Sequence, residues 1–401
     1  MATRREFAAG LAASAFGAGG GDLAAGIETT TLIRREDYGK TWFHPRACVI
    51  PGEPPRLLMT MQEITGSDYF HPVHWMESGD GGRTWTKPQP VPGMGRRTHP
   101  DGLEEGVCDV VPEHHARTGA VIALGHNVYY RGGKLTMPAE KRWPVYAIRN
   151  RKGEWGPLRK LDWGDPGATA IYTSNCSQRI TLADGSILIP LTYGPLGRQH
   201  RDVCSTLCRF DGEQLRIVAR GNTLSLPVKR GLLEPSLASR RRNDFWMTIR
   251  AEDGHGYVAR SRDGLEWGPM KPWAWTDGTP IAMSTTQQHF LVHSDGLYLV
   301  YTRKADSNQR VMRWRTPLWM ARIDEDRAAL IKETERVVFP QRGDGGASGL
   351  DAWLSGNFHT TMLSAGESLI TDGQANPARG YIGEVLLARV RWSTPNRLAP
   401  K

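Results

Sequence analysis

Apolar residues along this chain come in short runs broken by turn residues, without the three-to-four spacing of a helix face. Six stretches share one layout, an apolar strand, a tight turn and a second strand that ends in a polar residue. They are "RACVIPGEPPRLLMTMQ" from 46, "CDVVPEHHARTGAVIALGHN" from 108, "CSQRITLADGSILIPLTYG" from 176, "EPSLASRRRNDFWMTIR" from 234, "QHFLVHSDGLYLVYTR" from 288 and "FHTTMLSAGESLITDG" from 358. Short alternating or continuous apolar runs bounded by Gly, Pro and Asp predict β-hairpins.

A second feature recurs between them. "SGDGGRTW" at 78–85 and "SRDGLEW" at 261–267 share serine, aspartate, glycine and tryptophan. "REDYGKTW" at 35–42 keeps most of that set, and "RNRKGEW" at 149–155 is a degenerate copy. The aspartate can accept from backbone N–H groups two residues on, glycine supplies positive φ, and tryptophan anchors the next strand. Each hairpin plus its following turn makes a unit of roughly 45–70 residues, the size of a propeller blade. The expected fold is therefore all-β, a six-bladed β-propeller of four-stranded antiparallel blades. "GEVLLARVRW" at 383–392 is expected to complete the blade begun by the N-terminal segment.

Composition agrees with many short elements. The 401 residues include 45 Gly and 26 Pro, with 39% hydrophobic and 23% charged residues. The net charge of +9 is scattered, Arg240–Arg242 being the one run of three arginines, and no nucleic-acid motif accompanies it; no nucleic-acid partner is expected. The five cysteines fit neither a disulfide framework nor a metal-ligand spacing, since Cys204 and Cys208 would lie about 13 Å apart on an extended strand. No metal and no cofactor is expected.

"MATRREFAAGLAASAFGAGGGDLAAG" places Arg4–Arg5 before a weakly apolar Ala/Gly stretch, resembling a twin-arginine export signal. Residues 1–26 are read as that signal, 27–395 as a single propeller domain and 396–401 as a tail. "ASA" at 13–15 and "LAA" at 23–25 are both candidate cleavage sites. The expected location is the periplasm or outside the cell, with no membrane span elsewhere.

In a propeller the first strands line a central channel, so hairpin position predicts a pocket. First strands begin near Arg46, Asp109, Gln178, Glu234, His289 and His359; second strands end near Gln62, His126, Tyr193, Arg250, Arg303 and Asp372. The Asp turns in a six-fold ring, and above all "LLEPSLASRRRNDFWMTIRAEDGHGYVARSRDGLEW" at 232–267, resemble the sialidase superfamily with its BNR or Asp-box repeats. That resemblance implies an exo-acting glycoside hydrolase. In that family a glutamate opens an inner strand and an arginine closes the hairpin 16 residues later, as Glu234 and Arg250 do here (250 − 234).

The resemblance implies a carboxylate grip of three arginines, Arg46, Arg250 and Arg315, with Arg313 and Arg303 as competitors for the third place. Planar, always-charged forks suit that task. Asp109 and Gln62 would complete the substrate-binding ring, and Asp68 in "TGSDYFHPVHWMES" would be the general acid. One departure stands out: the family's tyrosine nucleophile is absent from "SGNFHTTMLS", where Asn357, Phe358 and His359 stand. A second reading is a lyase or hydrolase of uronate-containing polysaccharide that uses His126, Tyr193 and His359 for proton transfer. A third is a propeller that binds glycans without cleaving them.

Overall fold

A computed structural model describes residues 22–35, 39–66, 68–136, 141–164 and 171–400. The predicted ring is present: six antiparallel sheets, each about four strands deep, follow one another round a centre. Blade one holds Thr41–Ile50, Arg56–Thr65, Tyr69–Ser78 and Gln89–Pro90, from the centre outward. Blade two holds Glu104–His115, Ala120–Arg131, Pro144–Arg149 and Arg159–Lys160. In blade three the inner strand is broken into Ile171–Thr173 and Ile180–Thr181, both paired with Ile187–Gly194; Asp202–Phe210 and Leu215–Arg220 follow.

Blade four is Leu233–Arg241, Asp244–Arg250, Gly256–Ser261 and Lys271–Pro272. Blade five is His289–His293, Gly296–Tyr301 and Leu318–Asp324, edged by Ala329–Leu330 and Arg336–Phe339. Blade six takes His359–Met362, Glu367–Asn376 and Ile382–Trp392 from the C-terminal end, and its outermost strand, Ala24–Arg35, from the other. Thr29 lies opposite Ala388, so the two ends of the chain close the ring between them.

The ring holds because a four-stranded sheet has two apolar faces and each blade covers one face of the next. Trp246, Trp273, Trp275 and Trp319 fill the seam between blades four and five, and Leu124, Tyr146, Ile189, Leu191 and Cys204 that between two and three. Full burial of side chains of this size is worth ~1.5–3 kcal/mol each. Below the centre, Gln178 of blade three donates to the Phe290 carbonyl at 2.9 Å and to Thr360 Oγ1 at 2.8 Å, tying blades three, five and six into a floor.

The turns predicted as Asp motifs occupy one place, the link from third to fourth strand. Asp80 Oδ1 accepts from the backbones of Arg83 and Thr84, each at 2.9 Å, and Asp263 Oδ1 from those of Leu265 (2.9 Å) and Glu266 (2.8 Å). Asn150 does the same for Lys152 and Glu154. Asp211 and Asp324 repeat the bond in blades three and five without the tryptophan, which is why the sequence pattern passed over them. Blade six has no such turn, since its third and fourth strands come from opposite ends of the chain. "REDYGKTW" is the exception: it runs from the last strand of blade six into the first of blade one, and its Asp37 lies outside the described residues.

Both ends of the expected propeller domain adjoin residues that pack into the ring. Residues 24–26 begin the outer strand of blade six, and Asp22 pairs with Arg336 Nε at 2.6 Å and accepts from Tyr298 at 2.6 Å, so the end of the segment read as a signal is packed into the ring. Asn396, read as the start of a tail, is buried and donates to the Val292 carbonyl at 2.9 Å. Residues 1–21, which carry Arg4–Arg5 and the 13–15 site, lie outside the described residues. Among the described residues no helix is long and apolar enough to cross a membrane.

Candidate active site at the mouth of the ring

The inner strands of blades one, two and four each carry a bulge, and in each a residue of the bulge has left-handed backbone: His44 (φ 55), Asp109 (φ 57) and Glu234 (φ 47). Asn175 (φ 39) stands in the break of blade three's inner strand. A bulge bends its strand and re-aims one side chain. Non-glycine residues in that region cost of order 1–3 kcal/mol each, and such strain gathers where geometry serves function.

One half of the mouth is built around Asp109. Arg46, fully buried, donates from Nη2 to Asp109 Oδ1 at 2.9 Å; its Nε and Nη1 have no partner among the described residues. Burial works to raise the Asp109 carboxyl, but His44, Arg46 and His126 together hold it well below the usual carboxylate range. Gln62 Nε2 donates to the carbonyls of His71 (2.9 Å) and Val107 (3.1 Å), which sets its Oε1 3.4 Å from His44 Nδ1. His44 Nε2 lies 2.9 Å from Asn357 Oδ1. Burial pushes His44 and His126 down to about 4, and burial beside Arg46 and Arg179 takes His359 to about 3. All three imidazoles are therefore neutral at ordinary pH.

The other half is cationic. Arg250 donates from Nη1 to Glu234 Oε1 at 2.6 Å and from Nε to Thr285 at 3.1 Å. Burial, Arg313 and Arg250 bring Arg315 down to about 10, and burial, Arg250 and Arg230 lower Arg313. Arg250, itself held up by Glu234, acts on both Arg313 and Arg315, and an anion bound among them would offset that repulsion. Arg313 and Trp314 are consecutive left-handed residues, φ 52 and 51, in the loop that presents this group. Asp68, exposed with φ 64, acts electrostatically on Arg313 and Arg315. Tyr381, in the last hairpin of blade six, is raised by burial and Asp68 and lies within reach of the Arg315 charge; no sequence motif marked it.

Thus Arg46, Asp109, His126 and Gln62 gather in one half, and Glu234, Arg250, Arg315 and Asp68 in the other. Arg313, first met as a competitor, stands with Arg250 and Arg315. Two expected members are elsewhere. Tyr193 bonds Thr223 and packs on Trp163 in the seam between blades two and three. Thr192, one residue before, is the side chain that turns inward and accepts from the Glu234 N–H at 3.1 Å. Arg303 likewise turns outward, bidentate to Glu335 (2.7 and 2.5 Å) over Trp319, while Thr302 faces Thr286 at 2.8 Å. Successive strand residues point to opposite faces, so a one-residue error in reading a strand end reverses the side chain. His359 lies deeper, packed against His289 with ring centres 5.3 Å apart.

Cys108, Asp109 and His126 bring S, O and N atoms within 4.8 Å of one another, a set that could ligate a metal ion. Arg46 on the Asp109 carboxylate and the burial that raises the Cys108 thiol both oppose a cation there.

The ring, the turns and the arginine-lined mouth define a class: a six-bladed propeller with the sialidase fold. Its solved structural neighbours bear this out. Trypanosoma rangeli sialidase superposes with a TM-score of 0.62 at 14% identity, over 92% of this chain and 60% of that one. The K499G mutant of NanB sialidase from Streptococcus pneumoniae gives 0.59 at 10% identity, over 90% and 70%. A Dyadobacter fermentans DSM 18053 protein of unknown function gives 0.63 at 14%, over 91% of this chain and 99% of its own. This chain thus spans about three fifths of the length of the T. rangeli enzyme. No family model and no curated protein matches the sequence.

Proposed function

We propose that the protein is an exo-acting glycoside hydrolase that removes a terminal anionic sugar, sialic-acid-like or uronic, from glycans. The observation that carries this reading is the trio Arg250, Arg313 and Arg315 at one mouth, where burial and then the charges of neighbouring arginines lower Arg313 and Arg315. A sugar carboxylate among them replaces mutual repulsion with charge-assisted hydrogen bonds. Glu234 fixes the Arg250 fork, Asp109, held from behind by the buried Arg46, offers its carboxylate to the sugar hydroxyls, and Asp68 is the general acid on the leaving oxygen. The T. rangeli sialidase solved with sialic acid bound has the same fold, which supports that substrate class.

The lyase reading loses support, because Tyr193 is engaged between blades while His126 and His359 are separately buried. Export by the twin-arginine route remains part of the proposal, with cleavage near 13–15, since cutting at 23–25 would remove the Asp22 contacts of the ring.

The test is incubation of the mature protein with sialosides, aryl glycosides, uronic-acid oligosaccharides and acidic polysaccharides, with Arg250→Ala as control. Released sugar that is lost in the variant supports the hydrolase. A rise in ultraviolet absorbance from an unsaturated uronate would move the assignment to a lyase, and silence across the panel to a glycan-binding propeller.

A further inference from the structure

A hydrolase needs a nucleophile, and Glu234 is engaged by Arg250. The second strand of blade six offers another carboxylate. Asp372 is fully buried, and its Oδ1 accepts a long bond of 3.4 Å from the Asn357 N–H. Among the described residues its Oδ2 has no partner, and neither has Asn357 Nδ2. Ser355 and Gln374 lie close by, but Gln374 Nε2 is turned to Ser355 Oγ at 2.7 Å and its Oε1 is taken by Arg342 at 2.9 Å. Arg315 faces the same carboxylate and gives its Nε to the Ser355 carbonyl at 2.6 Å.

His44 completes the arrangement. With its proton on Nε2, the imidazole donates to Asn357 Oδ1 at 2.9 Å, and in that tautomer the Asn357 NH2 group points away from it. A buried donor just before the first strand of blade six and a buried acceptor on its second strand, both left open, make a seat for one water, since buried polar groups are rarely left unpaired.

We propose that a water held by Asn357 Nδ2 and Asp372 Oδ2 is the nucleophile of the hydrolysis, with Asp372 as its general base. The inference rests on the hydrolase reading of this mouth. Asp372 takes a proton from the water as the water oxygen bonds to the anomeric carbon. The bond from that carbon to the leaving oxygen breaks, its electron pair stays on that oxygen, and the Asp68 carboxyl supplies the proton. Solvent then returns a proton to Asp68 and removes one from Asp372. A single displacement inverts the anomeric configuration. Asn357 and His44 are positioning residues, acting through the water. Burial, only partly offset by Ser355, Gln374, the Asn357 N–H and Arg315, pushes Asp372 up to about 6, a value suited to a base working near neutral pH.

Two measurements test this. A crystal structure of the whole protein, at a resolution that shows ordered water, is expected to place one water within hydrogen-bond reach of both atoms; a seat that is empty or filled by a side chain overturns the proposal without any substrate. Proton NMR of the first sugar released by the wild type is expected to show the inverted anomer. Asp372→Asn is expected to lower kcat by ~10²–10⁴-fold with KM little changed, and to remove an acidic limb near pH 6 from the rate profile. Retained configuration, or full turnover in Asp372→Asn, overturns this inference alone. No hydrolysis by the wild type overturns it together with the hydrolase reading.

Discussion

Asp263 and Asp372 are the same side chain in opposite surroundings. At the rim, Asp263 is exposed and accepts two backbone N–H groups and Ser261 Oγ, so that although its slight burial works the other way, these bonds lower its carboxyl. At the mouth, Asp372 is buried with an oxygen left open, and burial raises it. The rim turn satisfies its carboxylate from within five residues of chain. The mouth withholds satisfaction, and that is what leaves the group available for chemistry. Structural and functional carboxylates in this ring are separated by how completely their lone pairs are met.

Four experiments would break or sharpen this contrast. Arg250→Ala removes the fork that Glu234 orients; kcat/KM on a cleaved glycoside is expected to fall by ~100-fold or more, with the circular dichroism of the ring kept. Asp372→Asn should stabilise the protein where Asp372 is ionised. Its folded pKa of about 6 lies above the ordinary carboxylate value, so the stability tied to its proton is full below pH ~4 and is lost as pH rises through ~6. Urea melts should show the variant and the wild type alike near pH 4 and the variant ahead by about 3 kcal/mol, as an upper figure, at pH 8. A gap that does not open with pH would mean that Asp372 is not buried unpaired.

Asp263→Ala should act the other way, costing ~1–2 kcal/mol through lost turn bonds, with kcat unchanged once the protein is folded. Any change in kcat would mean that the rim is coupled to the mouth. Smallest of all, Asn150→Asp should move the urea midpoint by less than ~0.5 kcal/mol. It perfects the motif on paper, yet it exchanges the Asn150 Nδ2 bond to Glu154 (2.8 Å) for two like charges.

What could be read from the sequence followed the same division. The six hairpins and the turns at Asp80, Asn150 and Asp263 are local, set by alternation and by bonds within a few residues, and each stands where the pattern predicts. Asp211 and Asp324 make the same bonds, but the tryptophan used to find them is missing. Glu234 and Arg250 were found because both lie in one hairpin. Tyr193 and Arg303 each follow the side chain that turns inward, Thr192 and Thr302, and an uncertainty of one residue at a strand end hides that difference. His44 and Tyr381 gain meaning from residues hundreds of positions away, Asn357 for the one and Asp68 for the other, and no pattern in one strand encodes those encounters; Asp372 stands at a predicted hairpin end, but its open oxygen shows only in three dimensions.

The closure of blade six bears on how the chain comes into being. Ala24 sits opposite Trp392, a separation of 392 − 24 = 368 residues. The strand Ala24–Arg35 must wait until the residues up to Trp392 have been made before it meets its partner. Pairings this remote in sequence make for slow folding, and until synthesis ends the nascent protein carries an unclaimed β-edge of the kind that promotes aggregation. Prematurely terminated chains that lack Ile382–Trp392 should therefore be the species that chaperones retain and proteases clear.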